Sequence, residues 1–370
     1  MALANYVNQS LDGLLNEYVS EINKLKGLTT NDLVKESLDG DIKTYSEIIG
    51  AMKGVSQQFG GQLDPKVNND LGYVLENFVS KALKDNDNPS QLYRIISDKY
   101  HQEIFNDPDS LIILLSKIYW EALKILGNPD PITGQKYYNV SREARENAAK
   151  IKGIVEELLG EALYRHWLSM GKKITKGEVM ANLAQYARPY YGAWEGVKGK
   201  IEKEVERLTP NVEVQNAVEM LLMELENSYL SFIQGLIVGA YNKRPAPEHI
   251  ISVLRYLSGK DFFKNVFNEM YNEIGNYINQ LQPQIAQYLQ PNQPVGQQQG
   301  QQINQPNVQQ PVPMQQNQQA GQQQGGQQAT QPAQQGNSPN IPSQKPDSIF
   351  VKFHSPIILS QKPDRISVKF

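Results

Sequence analysis

The feature that most constrains this chain is a break near residue 290. After Glu273 no charged residue appears until Lys345, and after Tyr288 no aromatic appears until Phe350. From Pro291 to Asn340 the chain is mostly Gln with Pro, Gly and Asn. Such a segment has too little apolar surface to offset the entropy of ordering its backbone, so we expect a disordered Gln/Pro/Gly linker over 291–342. About 50 residues of this kind have a root-mean-square reach on the order of 40 Å. Folding is therefore confined to residues 1–290, and the 39% hydrophobic content of the whole chain understates the core that those residues can build.

Within 1–290 apolar residues recur at three and four, the period of a helix with one buried face. Leu11, Leu14, Leu15, Tyr18, Val19, Ile22 and Leu25 set the first stripe, and Ile151, Val155, Leu158 and Ala162 the cleanest. Turn-forming clusters punctuate the stripes: Asp39-Gly40-Asp41, Gly60-Gly61, Asn86-Asp87-Asn88-Pro89, Asn106-Asp107-Pro108 and Asn128-Pro129-Asp130-Pro131. No stretch shows sustained period-two alternation. The expected body is an all-α, multi-helix bundle of roughly ten to twelve helices, with a sub-boundary at 127–140 where Gly, Asn, Pro and Asp cluster. Ser141 is placed to cap a helix running from Arg142 to about Met170, and Thr175 with Glu178 has capping-box spacing.

The two most apolar runs, Leu111–Trp120 and Tyr229–Tyr241, fall short of the ~20 apolar residues that cross a bilayer. Both read as buried core helices. Gly235-Leu-Ile-Val-Gly239 has the small-xxx-small spacing that lets helices approach closely. The amino terminus lacks the basic region and apolar core of a signal peptide, so the expected location is cytoplasmic or virion-associated, not secreted by that route.

Chemistry-bearing patterns are scarce. With no Cys there is no disulfide framework, thiolate metal site or cysteine nucleophile. The four histidines, His101, His166, His249 and His354, form no His-x-x-x-His or Glu-x-x-His pair, which removes the zincin and di-iron patterns. His166, near the end of its helix, reads as half-buried packing or a charge at the helix C-terminus. Phosphate-binding, dinucleotide-binding and nucleophile-elbow motifs are absent. Asp107-Pro-Asp109 reads as a cap for the apolar run that follows it. The tyrosines Tyr137, Tyr138, Tyr190, Tyr191, Tyr271 and Tyr277 read first as the margin of a helical core and second as a contact surface. No enzymatic activity, cofactor or metal is expected.

Two segments carry functional expectations. Ser343-Gln-Lys-Pro-Asp-Ser-Ile-Phe-Val-Lys-Phe353 recurs as Ser360-Gln-Lys-Pro-Asp-Arg-Ile-Ser-Val-Lys-Phe370, identical at nine of eleven positions with an offset of 17. Each copy begins with a turn and ends in a short β-prone segment. Residues 343–370 are therefore read as a duplicated tail motif that binds a protein partner through Ile349, Phe350, Val351, Phe353, Ile366, Val368 and Phe370. The alternative is a helix-turn-helix-like DNA contact at 172–208: a capped helix up to Tyr186, a turn around Pro189, then a helix from Tyr190 to Leu208. Its basic residues are Lys172, Lys173, Lys176, Arg188, Lys198 and Lys200. Glu195, Glu202, Glu204 and Glu206 share the second helix and repel phosphates, so nucleic acid is the less favoured partner.

The charge balance points the same way. Residues 341–370 carry five basic and two acidic side chains, leaving 31 basic against 37 acidic in the first 340, a net −6 there. The body thus lacks the footprint of a nucleic-acid binder. In composition the chain is similar to orphan helical proteins of viruses and plasmids of hot acidic archaea. The likeness rests on the lack of Cys, on abundant Tyr, Ile and Asn, and on a Gln tract such as Gln297-Gln-Gln-Gly-Gln-Gln302. What the likeness implies is a virion or virus-associated protein; the expected function, read from the body and the duplicated tail, is a structural or assembly protein, with homo-oligomerisation among its expected interactions.

Overall fold

Local side-chain chemistry starts several of the helices. The computed structural model describes residues 2–59, 98–107 and 109–289, and every regular element among them is helical. The described residues form nine α-helices: α1 (Ala2–Leu28), α2 (Asp32–Phe59), α3 (Ser110–Ile125), α4 (Arg142–Ser169), α5 (Lys176–Ala181), α6 (Leu183–Leu208), α7 (Val212–Tyr241), α8 (Pro247–Gly259) and α9 (Phe262–Leu289). A π-helical turn, His101–Phe105, lies between α2 and α3. All of them belong to one unit. The Asn86–Pro89 turn signal, the Gln-rich linker and the duplicated tail fall outside the described residues.

Ser141 caps α4 as its position predicts, accepting a hydrogen bond from Ala144 N at 3.1 Å. Thr175 and Glu178 close a full capping box at the start of α5. Asn211 caps α7 and Asn31 caps α2 in the same manner, each side chain accepting from two first-turn amides. These bonds satisfy N–H groups that have no partner within a helix.

Three local expectations are corrected. Asp39-Gly40-Asp41 does not end a helix, and α2 runs through it. A single Gly lowers helix stability by only about 1 kcal/mol relative to Ala and, unlike Pro, keeps its N–H. Pro189 likewise lies inside α6, and the break falls seven residues earlier at Asn182, whose side chain donates to Glu178 O at 3.0 Å. A mid-helix Pro costs about 3 kcal/mol. The fully buried Tyr191 and Trp194, one turn further on, hold that segment in place. Asp109 occupies the N-cap position of α3 without making a side-chain cap; its carboxylate reaches His166 Nδ1 of α4 at 3.0 Å instead.

α3 and α7 form the centre. Leu111–Tyr119 is buried without interruption, and α3 packs on α4 and α6. α7 packs chiefly on α2 and also touches α4, α6, α8 and α9. The approach to α2 is close at Gly239, where a Cβ would sit 2.9 Å from Val55 Cγ2 and 3.4 Å from Ala51 O. The small-residue spacing thus serves helix packing in the core at that position. Among the described residues no helix is long and apolar enough to cross a membrane.

Candidate functional site

α3 is the most apolar helix among the described residues, yet it carries Lys117, Glu121 and Lys124 on one face at i, i+4 and i+7. Lys117 Nζ lies 3.0 Å from Glu121 Oε1 and 3.0 Å from Glu226 Oε1 of α7, and also pairs with Glu195 of α6. Lys124 Nζ lies 3.0 Å from Glu121 Oε1 and 3.0 Å from Asp130 Oδ2. Neutral donors complete the cluster. Tyr191 OH donates to Asp130 at 2.7 Å, Tyr137 OH to Glu121 at 3.1 Å, and Trp194 Nε1 to Glu226 at 3.0 Å. Asp130 comes from the 127–140 segment and accepts from Ile132 N and Thr133 N, both at 2.9 Å. That loop is thereby bound onto α3 and α6.

The cluster's electrostatics follow from its burial. Lys117, Glu226 and Asp130 are almost completely buried. Burial alone pushes the Glu121 carboxyl up, but Lys117 and Lys124 outweigh it and hold the group down at about 2. Burial would lower Lys117, and the carboxylates of Glu121, Glu226 and Glu195 drive it well above the ordinary range. Tyr137 is pushed up to about 12, mainly by burial. An ammonium held this strongly in its charged form is a poor base and a poor nucleophile. The arrangement joins α3, α6, α7 and the 127–140 loop.

A second polar feature is an open cleft of about 410 Å³ between the start of α3 and the end of α8. Asp107, Asp109, Asp261, Ser110, Ser258 and Arg255 line it. Arg255 donates from Nη2 to Ala162 O at 2.8 Å, while its buried Nε has no partner. Burial and the nearby Arg165 lower its affinity for a proton. Among the described residues no group of three acidic or histidine side chains is arranged to hold a metal ion.

The basic residues proposed from sequence for DNA contact are dispersed in role. Lys176 pairs with Glu161 at 2.7 Å, Lys200 pairs with Glu103, and Lys172 lies over the Trp167 ring at 4.8 Å. Lys198 is half-buried and acts electrostatically on Glu202, Glu219 and Glu226. Lys173 and Arg188 are exposed. The proposed partner-binding residues Ile349, Phe350, Val351, Phe353, Ile366, Val368 and Phe370 lie outside the described residues. Of the singled-out tyrosines, Tyr191 is in the core, Tyr137, Tyr190 and Tyr271 sit at its margin, and Tyr138 is exposed. The side chain of Tyr277 is not among those described.

Sequence reasoning did not single out the α3 cluster. Its signal was a Lys inside the run Leu111–Trp120, followed by Glu121 and Lys124 at helical spacing, a pattern that solvated surface pairs share. In comparisons with known proteins, no family, no curated protein and no solved structure matches this chain.

Proposed function

We propose that this protein is a non-enzymatic assembly or interaction protein, in a virion or another complex, in which the helical body is the scaffold and the tethered tail grips a protein partner. The single observation that carries this reading is the near-exact duplication of an eleven-residue motif, nine positions of eleven, beyond a charge-free linker. Each copy alternates apolar residues, Ile349, Val351 and Phe353 in the first and Ile366, Val368 and Phe370 in the second. That pattern suits a strand added to an exposed sheet edge, with backbone hydrogen bonds giving affinity and alternate side chains filling pockets. Two copies raise the effective concentration of the second contact where a partner offers two neighbouring sites. The ion pairs already made by Lys176 and Lys200, and the carboxylates along α6, favour protein over nucleic acid as the partner.

The test compares the full chain with a variant lacking 341–370. The expected result is an unchanged helical circular dichroism spectrum together with loss of the partner that co-purifies with the full chain. Undiminished co-purification by the shortened chain overturns the proposal.

A further inference from the structure

The α1–α2 hairpin extends beyond the packed core. From Asn23 to Glu47 no residue is buried, although both helices are continuous through this stretch. Its far end gathers Leu25, Leu28, Leu33 and Val34, which are 52%, 84%, 76% and 43% exposed. The other large exposed apolar residues are spread over the C-terminal end of α4, α7 and the 127–140 loop, so this tip is the main apolar patch among the described residues. The arm is also firmly built. Asn31 caps α2, Lys26 pairs with Asp39 across the hairpin, and Tyr18 stacks on Tyr45 at 4.3 Å, with Tyr256 and His249 of α8 against them.

We propose that this arm is a self-association surface that packs against the same arm of a second copy of the chain about a two-fold axis. Two helices alone give each apolar stripe only one neighbour; two hairpins together make a four-helix layer that covers both. Charge selects the occupant. Lys24 lies one turn from Leu28 on α1, and Glu36 lies one turn from Leu33 on α2, so opposite charges flank the apolar centre on its two helices. Their neighbours Lys26 and Lys35 are paired within the chain, to Asp39 and Asp32, whereas Lys24 and Glu36 make no ion pair among the described residues. A two-fold contact requires a self-complementary patch. With α1 of each copy against α2 of the other, Lys24 meets Glu36 twice. From Asn23 to Gly40 the arm carries three basic and three acidic residues, a balance that suits a like surface rather than an anionic lipid, which selects basic excess.

The test is sedimentation velocity on the full-length chain across a concentration series reaching about 100 µM. The expected result is a dimer that dissociates on dilution. The double variant Leu28→Asp/Leu33→Asp, at two exposed positions, should be monomeric with an unchanged circular dichroism spectrum. Lys24→Glu alone and Glu36→Lys alone should each weaken the dimer about tenfold, because each reverses two symmetric rim pairs. The two together should restore it. A wild-type monomer throughout the series, a dimer indifferent to the Asp pair, or charge reversals that merely add overturns the proposal. Deletion of 341–370 should leave the dimer intact, so failure here and failure of the tail reading are separate results.

Discussion

Lys117 shows how a single residue ties this core together. Its ammonium touches carboxylates from α3, α6 and α7 at once, and Glu226 among them is almost completely buried. Removing one partner of such a set leaves uncompensated buried charge, which is more costly than losing the attraction itself. Lys117→Met should therefore lower stability by about 3–5 kcal/mol in urea unfolding at neutral pH. The deficit should shrink in acid, where Glu121 and Glu226, held down by Lys117 in the native chain, can take up protons in the variant. In the native chain the sign is opposite. Glu121 is held at about 2 against an ordinary 4.5, so its contribution is complete above pH 4.5 and disappears as pH falls toward 2. Acid titration followed by circular dichroism should show stability declining across that window, and Glu121→Gln should flatten the decline. None of this was legible in the sequence, because a Lys within reach of a Glu at i+4 looks the same on a wet face as in a core. Only the identity of the facing helices distinguishes the two.

At the scale of the element, legibility tracks the range of the interaction. Ser141 and the Thr175–Glu178 box were readable because a cap is made by residues two or three positions apart. Pro189 and Asp39-Gly40-Asp41 misled because a local penalty of a few kcal/mol can be offset by packing that the local sequence does not contain. Asp109 misled differently: it stands where a cap should be, but His166 of α4 draws its carboxylate away. The Gly239 contact combines both kinds of information. Its spacing announces a close approach, and the structure supplies the facing residues, Ala51 and Val55 of α2. Gly239→Ala should destabilise the protein by about 1–3 kcal/mol through overpacking. Val55→Ala should recover part of that loss in the double variant, because Val55 Cγ2 is the nearest obstacle at 2.9 Å. Thermal or chemical unfolding of the four chains gives the coupling directly.

For the whole molecule, the two proposed contacts are assigned to different parts of the chain, the body and the tail. Among the described residues the body has an internal ion cluster, an acidic-lined cleft beside Arg255 and an exposed apolar arm, and the duplicated motif follows the Gln-rich segment in the sequence. The two proposed contacts make separate predictions, self-association for the arm and partner binding for the tail. The helical character of the described residues, the caps at Ser141 and Thr175, the apolar core runs and the compositional break near residue 290 were determined by the sequence itself. They depend on period, composition and hydrogen bonds between near neighbours, which a linear reading contains. Which charges are buried, which Leu residues stay wet and which helix faces which were decided only by the tertiary structure. Burial is a property of residues far apart in the chain: Lys117 meets Glu226 across 109 positions, and no local pattern records that meeting.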